Sequence, residues 1–134
     1  NKICVTPSNC PNNLYADYLT RTCLSKCNGN FADRSTKMCV DVCPPSTYAD
    51  PITSFCETSC STGFVINSGN NTCVADCSIG LYKNPKNNSC SSTCVDPYFA
   101  DDTSFSCVQT CTSNPLTFSS TSSGRKCVSS CLPT

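Results

Sequence analysis

The chain has 134 residues with nine basic and nine acidic side chains, no His, and 16 Cys. Cysteine at about 12% passes the level that marks a disulfide scaffold, whereas Leu, Ile, Val and Phe supply only 24 residues, too few for one conventional core. Zero net charge without a basic run excludes nucleic acid as a partner, and no stretch approaches the roughly 18 apolar residues of a membrane span.

In chain order, a looser pair, Cys4 and Cys10, opens a series of Cys-x-x-x-Cys pairs: Cys23/Cys27, Cys39/Cys43, Cys56/Cys60, Cys73/Cys77, Cys90/Cys94, Cys107/Cys111 and Cys127/Cys131. The first cysteines from Cys39 to Cys107 recur every 17 residues. Residues 1–134 therefore read as a single array, with units beginning near Cys4, Cys23, Cys39, Cys56, Cys73, Cys90, Cys107 and Cys127. Neither a signal peptide at Asn1 nor a hydrophobic tail after Cys131 is legible, so a processed segment or a piece of a longer protein is expected.

Four units carry an aromatic-Ala-Asp triplet: Tyr15-Ala16-Asp17, Phe31-Ala32-Asp33, Tyr48-Ala49-Asp50 and Phe99-Ala100-Asp101. Two central units carry Val65-Ile66-Asn67 and Tyr82-Lys83-Asn84 instead. Three residues beyond each Asp or Asn stands Thr20, Thr36, Thr53, Asn70, Asn87 or Ser104. An Asp or Asn at the start of a four-residue turn can bond backbone N–H two residues on, and Pro51 and Pro85 suit the second position of a type I turn. No window shows sustained helical periodicity. The expected fold is small, disulfide-rich and mainly β: an elongated, solenoid-like rod of about eight β-hairpins of about 17 residues, with little or no helix. Between Cys111 and Cys127 the loop lengthens to 15 residues, and its Ser119, Ser120, Thr121, Ser122 and Ser123 are candidates for O-linked sugar and for a flexible bulge.

Spacing alone leaves two periodic pairings open. One closes Cys10–Cys23, Cys27–Cys39, Cys43–Cys56, Cys60–Cys73, Cys77–Cys90, Cys94–Cys107 and Cys111–Cys127, leaving Cys4 and Cys131 as candidates for a bond between subunits. The other joins units two by two, from Cys4–Cys23 with Cys10–Cys27 onward to Cys111–Cys131. Disulfides in this number persist in oxidising surroundings, so the expected location is extracellular or at the cell surface.

The run Cys-Val-x-x-Cys, loop, Cys-Val-x-x-Cys resembles furin-like repeats and the cysteine-rich modules of growth-factor receptors. With its Tyr-Ala-Asp and Thr-x-x-Cys elements it is also similar to cysteine-rich arrays of protist, especially ciliate, surface proteins. The resemblance covers nearly the whole chain and implies the first pairing, which single-disulfide receptor modules use.

Other chemistry finds little support. Cys-x-x-x-Cys spacing is compatible with structural zinc, but with no His and with aromatics recurring inside each loop, disulfides are expected and no metal or cofactor. Asp17, Asp33, Asp50 and Asp101 would be turn caps, not calcium ligands, because they stand one per unit. The aromatics would cover disulfides and the next hairpin, not stack a ligand. Glu57 is the sole Glu, so no acid–base pair is apparent; neither enzyme activity nor a small-molecule substrate is expected. Asn70-Asn71-Thr72 and Asn87-Asn88-Ser89 fit the N-glycosylation rule at Asn70 and Asn87, placing both at turn corners, on one face if the units stack with little rotation. The role expected from all this is a secreted or surface-displayed structural protein, glycosylated, part of a fibre or coat that grows head to tail from copies of itself. The alternative is a protein-binding ectodomain module of a receptor or surface antigen.

Overall fold

The computed structural model describes residues 6–111, 118–121 and 124–130. The protein divides into two compact units, Asn1–Cys73 and Val74–Thr134. It is mainly β throughout, with seven described hairpins, the first of them in the unit opening at Cys4; the one described helical element is a 3-10 turn at Pro7–Asn9.

The first unit is built from β1 (Tyr15–Asp17), β2 (Thr22–Leu24), β3 (Phe31–Asp33), β4 (Met38–Val40), β5 (Tyr48–Asp50), β6 (Phe55–Glu57), β7 (Val65–Asn67) and β8 (Thr72–Val74). Their order across the sheet is β7-β8-β5-β6-β3-β4-β1-β2, so consecutive strands form hairpins. The second unit repeats the plan with β9 (Tyr82–Asn84), β10 (Ser89–Ser91), β11 (Phe99–Asp101), β12 (Ser106–Val108), β13 (Phe118–Ser120) and β14 (Lys126–Val128), in the order β13-β14-β11-β12-β9-β10.

Within a hairpin the middle residue of the incoming strand faces the cysteine of the outgoing strand: Ala16 opposite Cys23, Ala32 opposite Cys39, Ala49 opposite Cys56 and Ala100 opposite Cys107. Between hairpins the pairing is parallel. The incoming strand of one meets the outgoing strand of the next, with Ala16 opposite Met38, Ala32 opposite Phe55 and Ala49 opposite Thr72 in the first unit. In the second unit Lys83 lies opposite Ser106, and Ala100 opposite Lys126.

Each such joint includes a backbone hydrogen bond from the middle residue of the incoming strand. The N–H groups of Ala16, Ala32 and Ala49 donate to the carbonyls of Lys37, Ser54 and Asn71 at 2.9, 3.0 and 2.8 Å, and those of Lys83 and Ala100 donate to Phe105 and Arg125 at 2.8 and 2.7 Å. All five acceptor residues hold positive φ, between 49° and 63°. The expected turn from Asp to Thr is thus one residue longer. In the third hairpin Ser54 N–H closes onto the Asp50 carbonyl at 2.8 Å, and Ser54 then takes the left-handed conformation. For non-glycine residues that conformation costs roughly 1–2 kcal/mol. The cost is offset because it aims the carbonyl at the neighbouring hairpin.

In several of the described hairpins the residues between the cysteine pair and the incoming strand also form a tight turn. Leu14 N–H bonds the Pro11 carbonyl, Thr47 the Pro44 carbonyl, Phe64 the Ser61 carbonyl and Leu81 the Ser78 carbonyl, at 2.9–3.1 Å. The third residue of each turn has positive φ: Asn13, Ser46, Gly63 and Gly80. Gly63 and Gly80 suit that position because a residue without Cβ enters it at no steric cost.

Seven disulfides close the described hairpins: Cys10–Cys23, Cys27–Cys39, Cys43–Cys56 and Cys60–Cys73 in the first unit, and Cys77–Cys90, Cys94–Cys107 and Cys111–Cys127 in the second. They link residues 12–16 apart with Cα atoms 5.5–5.6 Å from each other, the ordinary cystine span. The core is made of these bonds. Cys27, Ala32 and Cys39 form one buried cluster beneath Tyr15 and Phe55; Cys43, Ala49 and Cys56 form another beneath Phe31 and Val40. In the second unit Tyr82 is itself buried with Cys94, Ala100 and Cys107. An aromatic from one hairpin therefore covers the disulfide of the next, and in these three clusters the middle residue is a buried Ala.

Replacing Ala49 with Leu forces extra methylenes into that layer and is expected to lower stability by about 1–3 kcal/mol. Guanidinium unfolding with the disulfides intact measures it.

Candidate functional site

The hairpin loops are where polar side chains concentrate. Asp17 Oδ1 accepts Leu19 N–H at 3.1 Å and Asp17 Oδ2 accepts the Thr20 hydroxyl at 2.7 Å. Asp33 repeats this with Ser35 N–H and the Thr36 hydroxyl at 2.9 and 2.6 Å, and Asp101 with Thr103 N–H and the Ser104 hydroxyl at 3.0 and 2.8 Å. Asp50, fully buried, takes Ile52 N–H on Oδ1 and reaches Ser61 N–H with Oδ2 at 2.7 Å, tying its loop to the following turn. These carboxylates are consumed by their own turns. Among the described residues no three His, Cys, Asp or Glu converge on a point that could hold a metal ion.

The bonding sets the carboxyl acidities. At Asp17 the Thr20 hydroxyl is the main cause, outweighing burial, and holds the carboxyl below the usual range. At Asp33 and Asp50 burial pushes upward, but the donors around each carboxylate together outweigh it and the net direction is again downward.

Asn67 and Asn84 keep half of the cap: their Oδ1 atoms accept Gly69 and Lys86 N–H at 3.0 Å. The fourth loop residue differs in consequence. All four are exposed, but where Thr20 and Thr36 donate to an Asp, the Oδ1 atoms of Asn70 and Asn87 accept the Thr72 and Ser89 hydroxyls at 2.6 and 2.8 Å. Each candidate glycosylation site is thus an exposed loop residue whose own sequon hydroxyl bonds it. Of the candidate O-glycosylation residues, Ser119 and Thr121 are exposed and Ser120 is half-buried, whereas Ser122 and Ser123 lie outside the described residues. Cys4 and Cys131 also lie outside them.

Side chains reinforce the joints within each unit. Arg34 pairs with Glu57 at 2.8 Å and lies 4.1 Å from the Phe55 ring centroid, and Tyr15 meets Phe55 edge-on at 5.6 Å. In the second unit Arg125 sits 4.7 Å from the Phe99 ring and bonds Asp96 at 2.9 Å, while Tyr82 donates to Asp102, which also pairs with Lys126 at 3.3 Å. An open cleft of about 480 Å³ is lined by Asn12, Asn13, Leu14, Tyr15, Arg34 and Lys37. Its two cations are spoken for in part: Arg34 by Glu57, and Lys37 by Asn12 at 3.4 Å. Sequence reasoning named neither this cleft nor the Arg and Lys residues of the joints; their non-periodic placement offered no signal.

No family model, curated protein or solved structure matches the chain.

Carboxylates held below their unfolded pKa stabilise the fold above the ordinary carboxylate range, and that contribution is lost as pH falls through the depressed values. Thermal stability is expected to hold down to about pH 4 and to decline below it. Asp50→Asn turns an amide NH₂ or a weaker acceptor toward Ser61 N–H, so it is expected to cost about 1–3 kcal/mol at pH 7 and to flatten part of the acid decline. Melting temperature measured from pH 7 to pH 2 on both proteins tests this.

Proposed function

We propose that the chain is a secreted or cell-surface structural repeat protein, a glycosylated segment or subunit of an extracellular fibre or coat that associates head to tail with copies of itself. The single observation that carries this reading is the recurring parallel joint between hairpins, a contact made by backbone donor and acceptor and covered by an aromatic. Such a joint propagates without needing a particular partner sequence. The disulfides are compatible with an extracellular protein, and no described helix is long and apolar enough to cross a membrane. The two exposed Asn loops supply sites for sugar, and Asp17, Asp33, Asp50 and Asp101 are engaged in capping their turns. The likeness to furin-like and receptor cysteine-rich repeats is part of the same proposal.

One observation favours the alternative of a protein-binding ectodomain module. The cleft between Tyr15, Arg34 and Lys37 offers a concave, polar surface that a fibre has no need of. Negative-stain microscopy of native material distinguishes the readings: filaments or a periodic coat support the first, and discrete particles with a larger chain attached support the second.

Treatment of native protein with an amide-cleaving N-glycosidase is expected to convert Asn70 and Asn87 to Asp and to lower the mass. Unmodified Asn at both positions removes glycosylation from the proposal.

A further inference from the structure

The two ends of the strand order are complementary. At one end lies β2, with no strand beyond it among the described residues. Arg21, just before it, has φ of 57°, within the range of the five residues whose carbonyls accept the joint hydrogen bonds. Its carbonyl is therefore presented as those of Lys37, Ser54 and Asn71 are. The surroundings fit an uncovered joint. Cys23 is half-buried, whereas Cys39, Cys56 and Cys73, its counterparts in the same unit, are buried. Thr22 is exposed, and the loop above it presents Tyr18 and Leu19, which are 59% and 80% exposed. At the other end lies β13, which among the described residues pairs only with β14. Ser119 is its middle residue, opposite Cys127, in the register position of Ala16, Ala32, Ala49, Lys83 and Ala100. In those five hairpins the N–H of that position points away from its own hairpin and into the next.

We infer that β13 of one copy adds to the β2 edge of another, with Ser119 N–H donating to the Arg21 carbonyl and Ser119 opposite Thr22. The inference rests on the self-association reading above and gives it atoms and a register. The occupant is a second copy because the joint recurs three times within the first unit and twice within the second, and the chain carries both unmatched halves of one more. An uncapped strand edge of this kind recruits another strand by main-chain bonding. The contact is head to tail, so each copy added uses one edge and presents the other, and the assembly always keeps one open β13 and one open β2.

Ser119→Pro removes the outward N–H, and proline is tolerated on an edge strand where that group faces away from its partner. Peptide mapping of Cys111–Cys127 verifies that the hairpin still forms. With the unglycosylated 134-residue chain, sedimentation is expected to show concentration-dependent oligomers. Amide exchange at Ser119 is expected to slow as they form, while exchange at Ala49, already bonded, stays constant. Ser119→Pro is expected to weaken association at least about tenfold, the effect of roughly 1.4 kcal/mol. Mixed in below stoichiometry it should also shorten wild-type oligomers, because it can accept at β2 but not extend from β13. Oligomers that persist undiminished in Ser119→Pro, with Ser119 exchange independent of concentration, overturn this joint and leave self-association standing through another contact. A monomer at every concentration reached overturns the joint as well, and microscopy of native material then decides separately whether a fibre exists.

Discussion

Loop closure by cystine is the constraint on which the rest depends. A hairpin of two three-residue strands has too little surface to fold alone. Closing a loop of about 13 residues restricts the unfolded chain by roughly 3 kcal/mol, and each described hairpin has one such closure. The bond also supplies the interior. Its sulfur atoms, a neighbouring Ala and an aromatic from the preceding hairpin make up the clusters around Ala32, Ala49 and Ala100. Cross-link and core are the same atoms, which is why so little Leu and Ile is needed.

Around that constraint the backbone does the remaining work. The Asp or Asn cap orders the loop and the left-handed residue swings its carbonyl outward. The middle residue of the adjacent hairpin then finds it. Arg34, Arg125 and Lys126 add cation–ring contacts across these joints at 4.1–5.6 Å, but the pairs are partly exposed and contribute modestly. Side chains tune a geometry that the main chain already defines.

Much of this was legible in residue order. The aromatic-Ala-Asp triplets fall on the strands β1, β3, β5 and β11, and the Asp caps sit where their spacing to Thr20, Thr36 and Ser104 implies. Spacing left the pairing of cysteines open between two schemes, because both preserve the period. What separates them is three-dimensional: Cys56 is bonded to Cys43, and Cys39 to Cys27. The left-handed loop position was hidden for a different reason. Such sites usually announce themselves with Gly or Asn, yet here they are filled by Arg21, Lys37, Ser54, Phe105 and Arg125. Only Asn71 and Asn88 fit the rule, and both drew notice as the middle residues of sequons. The turns at Pro11–Leu14 and Pro44–Thr47 looked like loose connections because their composition varies while their closing hydrogen bond does not.

The joint between hairpins has a consequence for how such a chain can change over generations. Because its hydrogen bond runs between main-chain atoms, a hairpin asks of its neighbour only a correctly turned carbonyl and a short strand. Ala16, Lys83 and Ala100 meet that request equally, although their partners range from Lys37 to Phe105 to Arg125. A gene segment encoding one hairpin could be duplicated or lost, and the hairpins on either side would meet a donor and an acceptor of the same form. Array length is then an inherited variable that drifts freely, while the cysteine spacing inside each module is held still by the bond it must close.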